Sequence, residues 1–528
     1  FLAMAQFLLL LLALLAFLYY VYRQCFRKRT GPGLPPGPRP LPIIGNYMHL
    51  PPKGVPEFEH WLKHKDIYGP ISSVTVMGHT LIIIHDREVA NHLLEKCSNK
   101  TSARPKAGCA VKLCGFDKFI PFNQCDQTFR LARKMMYREL GSRASVAHFD
   151  AIQEVEVRRS LLRVLNKPED LMQHFKTQMS AIILKMTYGY SVEAEKPDPL
   201  VELIKQMLVN IVAAATPLTW LVDLIPPLEY LPEGFPGTSF RKTARQWYKI
   251  TRQVVDTPYS FTRKRMKSGS HRPSYVSKVL ENDDGGNEDV IRITAATMYV
   301  GAVETTTTAL STCILAMIQF PQVQRKAQEE IDRVVGTDRL PRSEDRAKLP
   351  YIEALVKELH RWCPVAPMGI PHVVEEDIVY RGYLFPKGSY LLPAVWWFLN
   401  DPDRYPDPRS FKPERFLETS DQADDPFKIT WGYGRRICPG RFFADSTMFI
   451  TLAQMLAAFS IGKAVDEKGE EMETRFESTP GLINHLKEYR YSIMPRSAGH
   501  AELVRAVEME HPWEESDAVH LEWDNSDG

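Results

Sequence analysis

The chain has 528 residues, with 66 Lys and Arg against 64 Asp and Glu, and 44% of it is hydrophobic. That balance excludes the basic footprint of a nucleic-acid binder and the acidic excess of a disordered chain, and it supplies enough apolar side chain for a large core. Eight cysteines lie scattered without a framework, and Cys109, Cys114 and Cys125 lack the paired spacing of a zinc site, so reduced thiols in a reducing compartment are expected.

Phe1 to Tyr22 carry no charge, and Gln6 is the only strongly polar side chain among them. At about 1.5 Å of rise per residue, roughly 20 such residues cross the ~30 Å hydrocarbon core of a bilayer. Tyr19, Tyr20 and Tyr22 would sit at the interface, and Arg23, Arg27, Lys28 and Arg29 would hold the rest of the chain on the cytosolic side. The expectation is a single transmembrane helix over 1–22 in the endoplasmic reticulum membrane. A cleaved signal peptide fits less well, because the charge comes after the apolar run and no small-residue cleavage site precedes it. Residues 23–42 join the basic flank to a proline-rich stretch, Gly31 to Pro42, read as a semi-rigid hinge that also orients the globular part.

From 43 to 497 there is no internal repeat and no long linker, which reads as one domain. Short β-type runs occur at Ile71 to Val76, Thr80 to Ile84 and Ile378 to Leu384. Helical periodicity fills most of the rest, notably Ala151 to Val164, Asp289 to Gln319, Gln322 to Val335 and Ile352 to Trp362. Glu281 to Asp289 reads as a surface loop. The acidic tail over 498–528, where nine carboxylates, among them Glu502, Glu508, Glu510, Glu514, Glu515 and Asp517, face only Arg505, reads as mobile.

Four patterns carry chemistry. Gly301-Ala-Val-Glu304-Thr305 opens a run of four threonines inside a helix, where the hydroxyls can bond back to the i−4 carbonyl and tolerate a bend. Glu358-Leu-His-Arg361 sets a carboxylate and a guanidinium one helical turn apart, and Pro413-Glu-Arg415-Phe adds a further arginine. Phe129-Arg-Leu-Ala-Arg133 and Pro371-His372 offer cations suited to buried carboxylates. Trp431-Gly-Tyr-Gly434-Arg-Arg436-Ile-Cys438-Pro-Gly440 brackets one cysteine with glycines, so the backbone can close on a sulfur while arginines favour its thiolate.

In their order, these segments resemble the cytochrome P-450 family over about residues 30 to 497. The cysteine loop is similar to that family's Phe-x-x-Gly-x-Arg-x-Cys-x-Gly pattern, with Trp431 in place of the Phe. The stretch from Lys357 to His372 looks most like fungal microsomal members, many of them in secondary metabolism. The resemblance implies a mainly α fold with small β-sheets and a haem b whose iron takes Cys438 as its thiolate ligand. It implies proton relay by Glu304 and Thr305, although Ala302 replaces the motif's second glycine. Glu358, Arg361 and Arg415 would form a scaffold beneath the haem, and Arg133, His372 and Arg436 would hold its propionates. Phe129 stands where the family usually has Trp.

The implied reaction inserts one oxygen atom from dioxygen into a hydrophobic small molecule such as a terpenoid, polyketide or aromatic metabolite. Electrons would come from NADPH through a membrane-bound reductase, since the chain has no convincing dinucleotide-binding signature of its own. Arg130, Lys134, Arg138, Arg435 and Arg441 would dock that reductase. By family analogy the pocket draws on Ala107 to Phe116, Met207 to Leu221, Met298 to Val303, Val365 to Ile370 and Thr479 to Ile483. Ala213 to Leu231 would dip into the lipid bilayer. Two other readings stand beside this one: a haem-thiolate isomerase or dehydratase that needs no dioxygen, and a non-enzymatic haem carrier or sensor. The intact Glu304–Thr305 pair argues against both.

Overall fold

Prolines set the first contacts of the fold. The computed structural model describes residues 32–42, 44–105, 108–194, 196–215, 220, 222, 226–282, 288–417 and 424–523. The expected anchor over 1–22 and its basic flank lie outside them. From Gly33 onward the proline-rich stretch is stitched down and does not act as a free spacer. The Ser73 amide donates to Pro36 O at 2.9 Å, the Ser73 hydroxyl to Pro35 O at 2.6 Å, and the Leu384 amide to Gly33 O at 2.8 Å. Proline lacks a donor but keeps its carbonyl, so the stretch can only accept. A Cβ on Gly37 would lie 1.9 Å from Ser73 O, so the approach requires glycine.

Two compact units divide the chain. The first comprises residues up to 105, 368–398 and 433–435. Here α1 (Glu57–Tyr68) covers a four-stranded sheet in the order β1 (Ile71–Val76), β2 (His79–Ile84), β6 (Tyr390–Pro393), β3 (His372–Val373). Ile82, Ile83 and Ile84 are wholly buried, and Phe58 and Trp61 of α1 pack with Val74, Ile83 and Trp396. The run Ile378 to Leu384, expected as one strand, folds back as a hairpin of β4 (Ile378–Tyr380) and β5 (Tyr383–Phe385). Arg381 and Gly382 both take positive φ, 48° and 80°, as the tightest hairpin turn demands.

The second unit, 106–367, 399–432 and 436 onward, is helical apart from the pair β7 (Phe459–Gly462) and β8 (Ser492–Pro495). Its principal helices are α2 (Gln127–Leu140), α3 (Asp150–Asn166), α4 (Leu171–Tyr188), α5 (Pro199–Ala215), α6 (Phe240–Lys267), α7 (Glu288–Gln319), α8 (Pro321–Val334), α9 (Pro350–Trp362), α10 (Arg441–Ala458) and α11 (Ala498–Glu510). Proline opens α8 and α9, where its missing N–H has no intrahelical partner to lose. The helix α7 is apolar nearly all round, and α4 packs along it. Among the described residues it alone is long and apolar enough to cross a bilayer, and 72% of its most apolar window is buried, as in a core helix. The protein is thus mainly α with small sheets, as expected.

The acidic tail needs correction. Ser497 caps α11, whose Ala501, Val504 and Val507 are buried, with α11 packed on α3. Beyond it, Trp513 lies 4.5 Å from the Arg163 guanidinium, Glu514 pairs with Lys185, and the buried Asp517 accepts from the Ser191 amide at 2.9 Å and from Arg272 at 2.5 Å. The carboxylates looked unmatched because their cations lie hundreds of residues upstream.

Candidate active site

Cys438 sits between a tight turn and the start of α10. Its amide donates to Trp431 O at 2.8 Å, closing the loop, and its carbonyl accepts from Arg441 at 3.1 Å. The side chain is half-buried. Burial pushes its thiol up, and the Gly440 amide, Arg133 and Arg441 pull it back toward the thiolate. Burial also lowers Arg133, with the Cys438 sulfur pulling the other way. Arg436 is buried and donates to Ile120 O at 3.2 Å and Asn123 O at 2.6 Å. Its guanidinium lies 4.1 Å from the centre of the Phe129 ring, so Phe129 supplies a cation–π face as well as packing.

Glu358, Arg361 and Arg415 come together. Arg361 grips Glu358 with two hydrogen bonds of 2.7 and 2.8 Å, and both side chains are wholly buried. Glu358 Oε1 also accepts from the Lys412 amide at 2.8 Å and lies 3.5 Å from Arg415 Nε. Burial pushes the Glu358 carboxyl up, and Arg361, the Lys412 amide and Arg415 oppose it. Arg361 and Arg415 spend their remaining donors on the carbonyls of Leu399, Ser410, Pro406 and Asp407, which pins the 399–415 segment to α9.

On α7 the threonine run leaves the helix unbroken. The Thr305 hydroxyl donates to Gly301 O at 2.7 Å, the expected back-bond. Glu304 has partners the sequence did not reveal: Lys176 Nζ of α4 at 3.8 Å and His485 Nδ1 at 3.5 Å. Lys176 carried no local signal. His485 lies two residues past a segment already assigned to the pocket, which is the one hint available.

In the first unit, the His372 ring is buried and its Nδ1–H donates to Thr101 O at 2.8 Å. Arg104, also missed, donates to Ile370 O and Pro371 O at 2.8 and 2.7 Å and so fixes the chain just before His372. Gly434 takes φ 52° and its amide donates to Glu95 at 2.5 Å. A Cβ there would meet Leu94 O at 2.6 Å.

Residues 35–493 match the family model described as cytochrome P-450. The chain belongs to the cytochrome P-450 family. It is 47% identical over 513 residues to a multifunctional cytochrome P-450 monooxygenase of Aspergillus fumigatus, a match covering 94% of this chain and 95% of that one. It is 48% identical over 514 residues to a cytochrome P-450 monooxygenase of Gibberella zeae, covering 96% and 97%. It is 38% identical over 500 residues to O-methylsterigmatocystin oxidoreductase of Aspergillus flavus, covering 94% of each.

This cytochrome P-450 is therefore a monooxygenase whose cofactor is haem b, which the family binds through a cysteine thiolate. The second unit's residues fit such a group. A half-buried sulfur with two cations beside it suits a thiolate ligand. Among the described residues Arg133 makes no hydrogen bond or ion pair, which leaves a cation free for an acidic group. The buried Trp431 indole N–H likewise has no acceptor among the described residues.

Proposed function

We propose that Cys438 is the iron ligand of a membrane-anchored monooxygenase acting on a hydrophobic small molecule, with electrons from NADPH through a reductase. The observation that carries the reading is the Cys438 sulfur itself, half-buried in a closed turn with Arg133 and Arg441 favouring its charge. When bound, the haem supplies dioxygen activation, and the thiolate pushes electron density toward O–O cleavage. Arg133 and Arg436 anchor its acidic edge. His372 and Gly434 enter this reading through the sequence motifs. Glu304 and Thr305 pass solvent protons toward the reacting oxygen, the carboxylate accepting and the hydroxyl handing on. Glu358, Arg361 and Arg415 hold the haem-side backbone without touching the chemistry.

The substrate class rests on the apolar character of the pocket segments; Met298 and Val303 of α7 are buried apolar groups flanking the relay. The O-methylsterigmatocystin in one relative's name is a further pointer toward a polycyclic or aromatic metabolite. Arg130, Lys134 and Arg138 lie exposed at i, i+4 and i+8 on α2, a stripe suited to an acidic reductase surface. The apolar run over 1–22, with arginines after it, supports an anchor in the endoplasmic reticulum membrane with the catalytic domain cytosolic.

The test is the carbon monoxide difference spectrum of the dithionite-reduced protein in microsomes. The red-shifted thiolate band is expected in the wild type and absent in Cys438→Ala. A band at the position of a neutral or imidazole ligand would refute thiolate ligation by Cys438 and the mechanism with it.

A further inference from the structure

The hairpin closed by the antiparallel bridge between Ser478 and Leu486 presents one imidazole to the relay. His485 Nδ1 lies 3.5 Å from Glu304 Oε1 and 3.1 Å from Thr308 Oγ1, one helical turn further along α7. The ring's backbone is fixed on all sides. Thr479 holds the His485 carbonyl with its amide at 2.8 Å and its hydroxyl at 3.2 Å. The preceding residue, Asn484, is buried; its amide donates to Val365 O at 2.8 Å and its side chain to Cys363 Sγ at 3.2 Å. A histidine delivered so firmly against one carboxylate does more than cover surface. On the opposite side, Lys176 reaches Oε2 of the same carboxylate at 3.8 Å.

We propose that His485 is a positioning residue for Glu304, aligning the relay carboxylate jointly with Lys176 and locking it when the ring is charged. This rests on the proton-relay role proposed for Glu304 and Thr305. The charged groups facing the ring are Glu304 from α7 and Lys176 from α4. Its own hairpin carries Lys487 and Glu477, which pair with each other at 2.7 Å. With the ring neutral and Nδ1 bare, the Thr308 hydroxyl donates to it and the carboxylate is left to Lys176. One solvent proton added to Nδ1 makes that nitrogen a donor; an N–H bond forms, nothing is oxidised or reduced, and Glu304 Oε1 accepts. Held between two cations, the carboxylate is fixed in place and no longer turns between solvent and Thr305. Burial keeps the ring below its ordinary pKa, with Glu304 pulling it up and Lys176 down, so the lock engages on the acid side of neutrality.

Two measurements test this on the holoenzyme. In the diamagnetic ferrous carbon monoxide form, carbon-13-labelled histidine reports the His485 titration, assigned by its loss in His485→Asn. Its midpoint should fall in Glu304→Gln and rise in Lys176→Gln; a midpoint unmoved by both overturns the proposal. The second is NADPH consumption with a microsomal reductase against pH. The wild-type rate should fall as pH drops through that midpoint. His485→Asn, which keeps a polar atom near the Nδ1 position but cannot titrate, should abolish the acid limb, and so should His485→Ala. An acid limb that persists in either variant overturns it. The carbon monoxide band should be identical in all variants, since it reports the thiolate. Its absence from the wild type would count against the haem reading, while the midpoints still decide the inference.

Discussion

Glu358 shows how one side chain ties together distant stretches of chain. It accepts from Arg361 and from the Lys412 amide and stands in an ion pair with Arg415, all away from solvent. Removing one partner of such a pair leaves a buried charge uncompensated, at about 3–5 kcal/mol. Arg361→Leu should therefore unfold at markedly lower temperature than wild type. Glu358→Leu combined with Arg361→Leu should cost much less than the two single changes summed, because the second removes the stranded charge; calorimetric melts of the three variants check this. The identity of this cluster was legible through the family resemblance, whose Glu-x-x-Arg and Pro-Glu-Arg-Phe patterns this sequence matches; spacing alone indicated no more than an i, i+3 pair. The same was true of Cys438 and its glycines. Lys176, His485 and Arg104 were not legible: each acts only through contacts with residues far away in the sequence, and a lone Lys, His or Arg has no pattern to betray it.

Elements show the same division. Helices α3, α7, α8 and α9 lie within two residues of where periodicity placed them. The β4–β5 hairpin was read as one strand because Arg381 is an unusual residue for a positive φ, and the turn signal is carried by Gly382 alone. The tail was misread for a different reason, since local charge counts miss remote partners. Its anchoring makes a direct prediction. Asp517 is buried and holds both the Ser191 amide and Arg272, whose side chain is partly exposed. Asp517→Ala should cost about 2 kcal/mol, at the lower end for a broken pair because Arg272 regains water. Limited proteolysis should then cut between α11 and residue 523 at protease levels that leave the wild type whole.

At the scale of the molecule, acid stability follows from three buried histidines. His64, His85 and His360 are each held by burial at a pKa of about 4, against an ordinary value of 6.5. Between those values the unfolded chain takes up protons that the folded one refuses. Stability is therefore intact above pH 6.5 and is lost as pH falls toward 4, by up to about 3 kcal/mol per ring. Urea midpoints at pH 7 and pH 5 should show the loss, and His360→Leu should show less of it. His360 is a clean choice, since its Nε2 is buried with no partner among the described residues and the ring packs edge-on against Trp431 at 4.9 Å.

The closure of the tail over α3 also has a consequence for synthesis. Arg163 sits with its three guanidinium nitrogens buried and, among the described residues, without acceptors, facing Trp513, which is made 350 residues later. At about 5–20 residues per second, that helix waits roughly 20 to 70 s on the ribosome for the ring that covers it. The nascent chain thus presents a cationic helix face to chaperones throughout, and a stop codon anywhere before Trp513 yields a product that never conceals it.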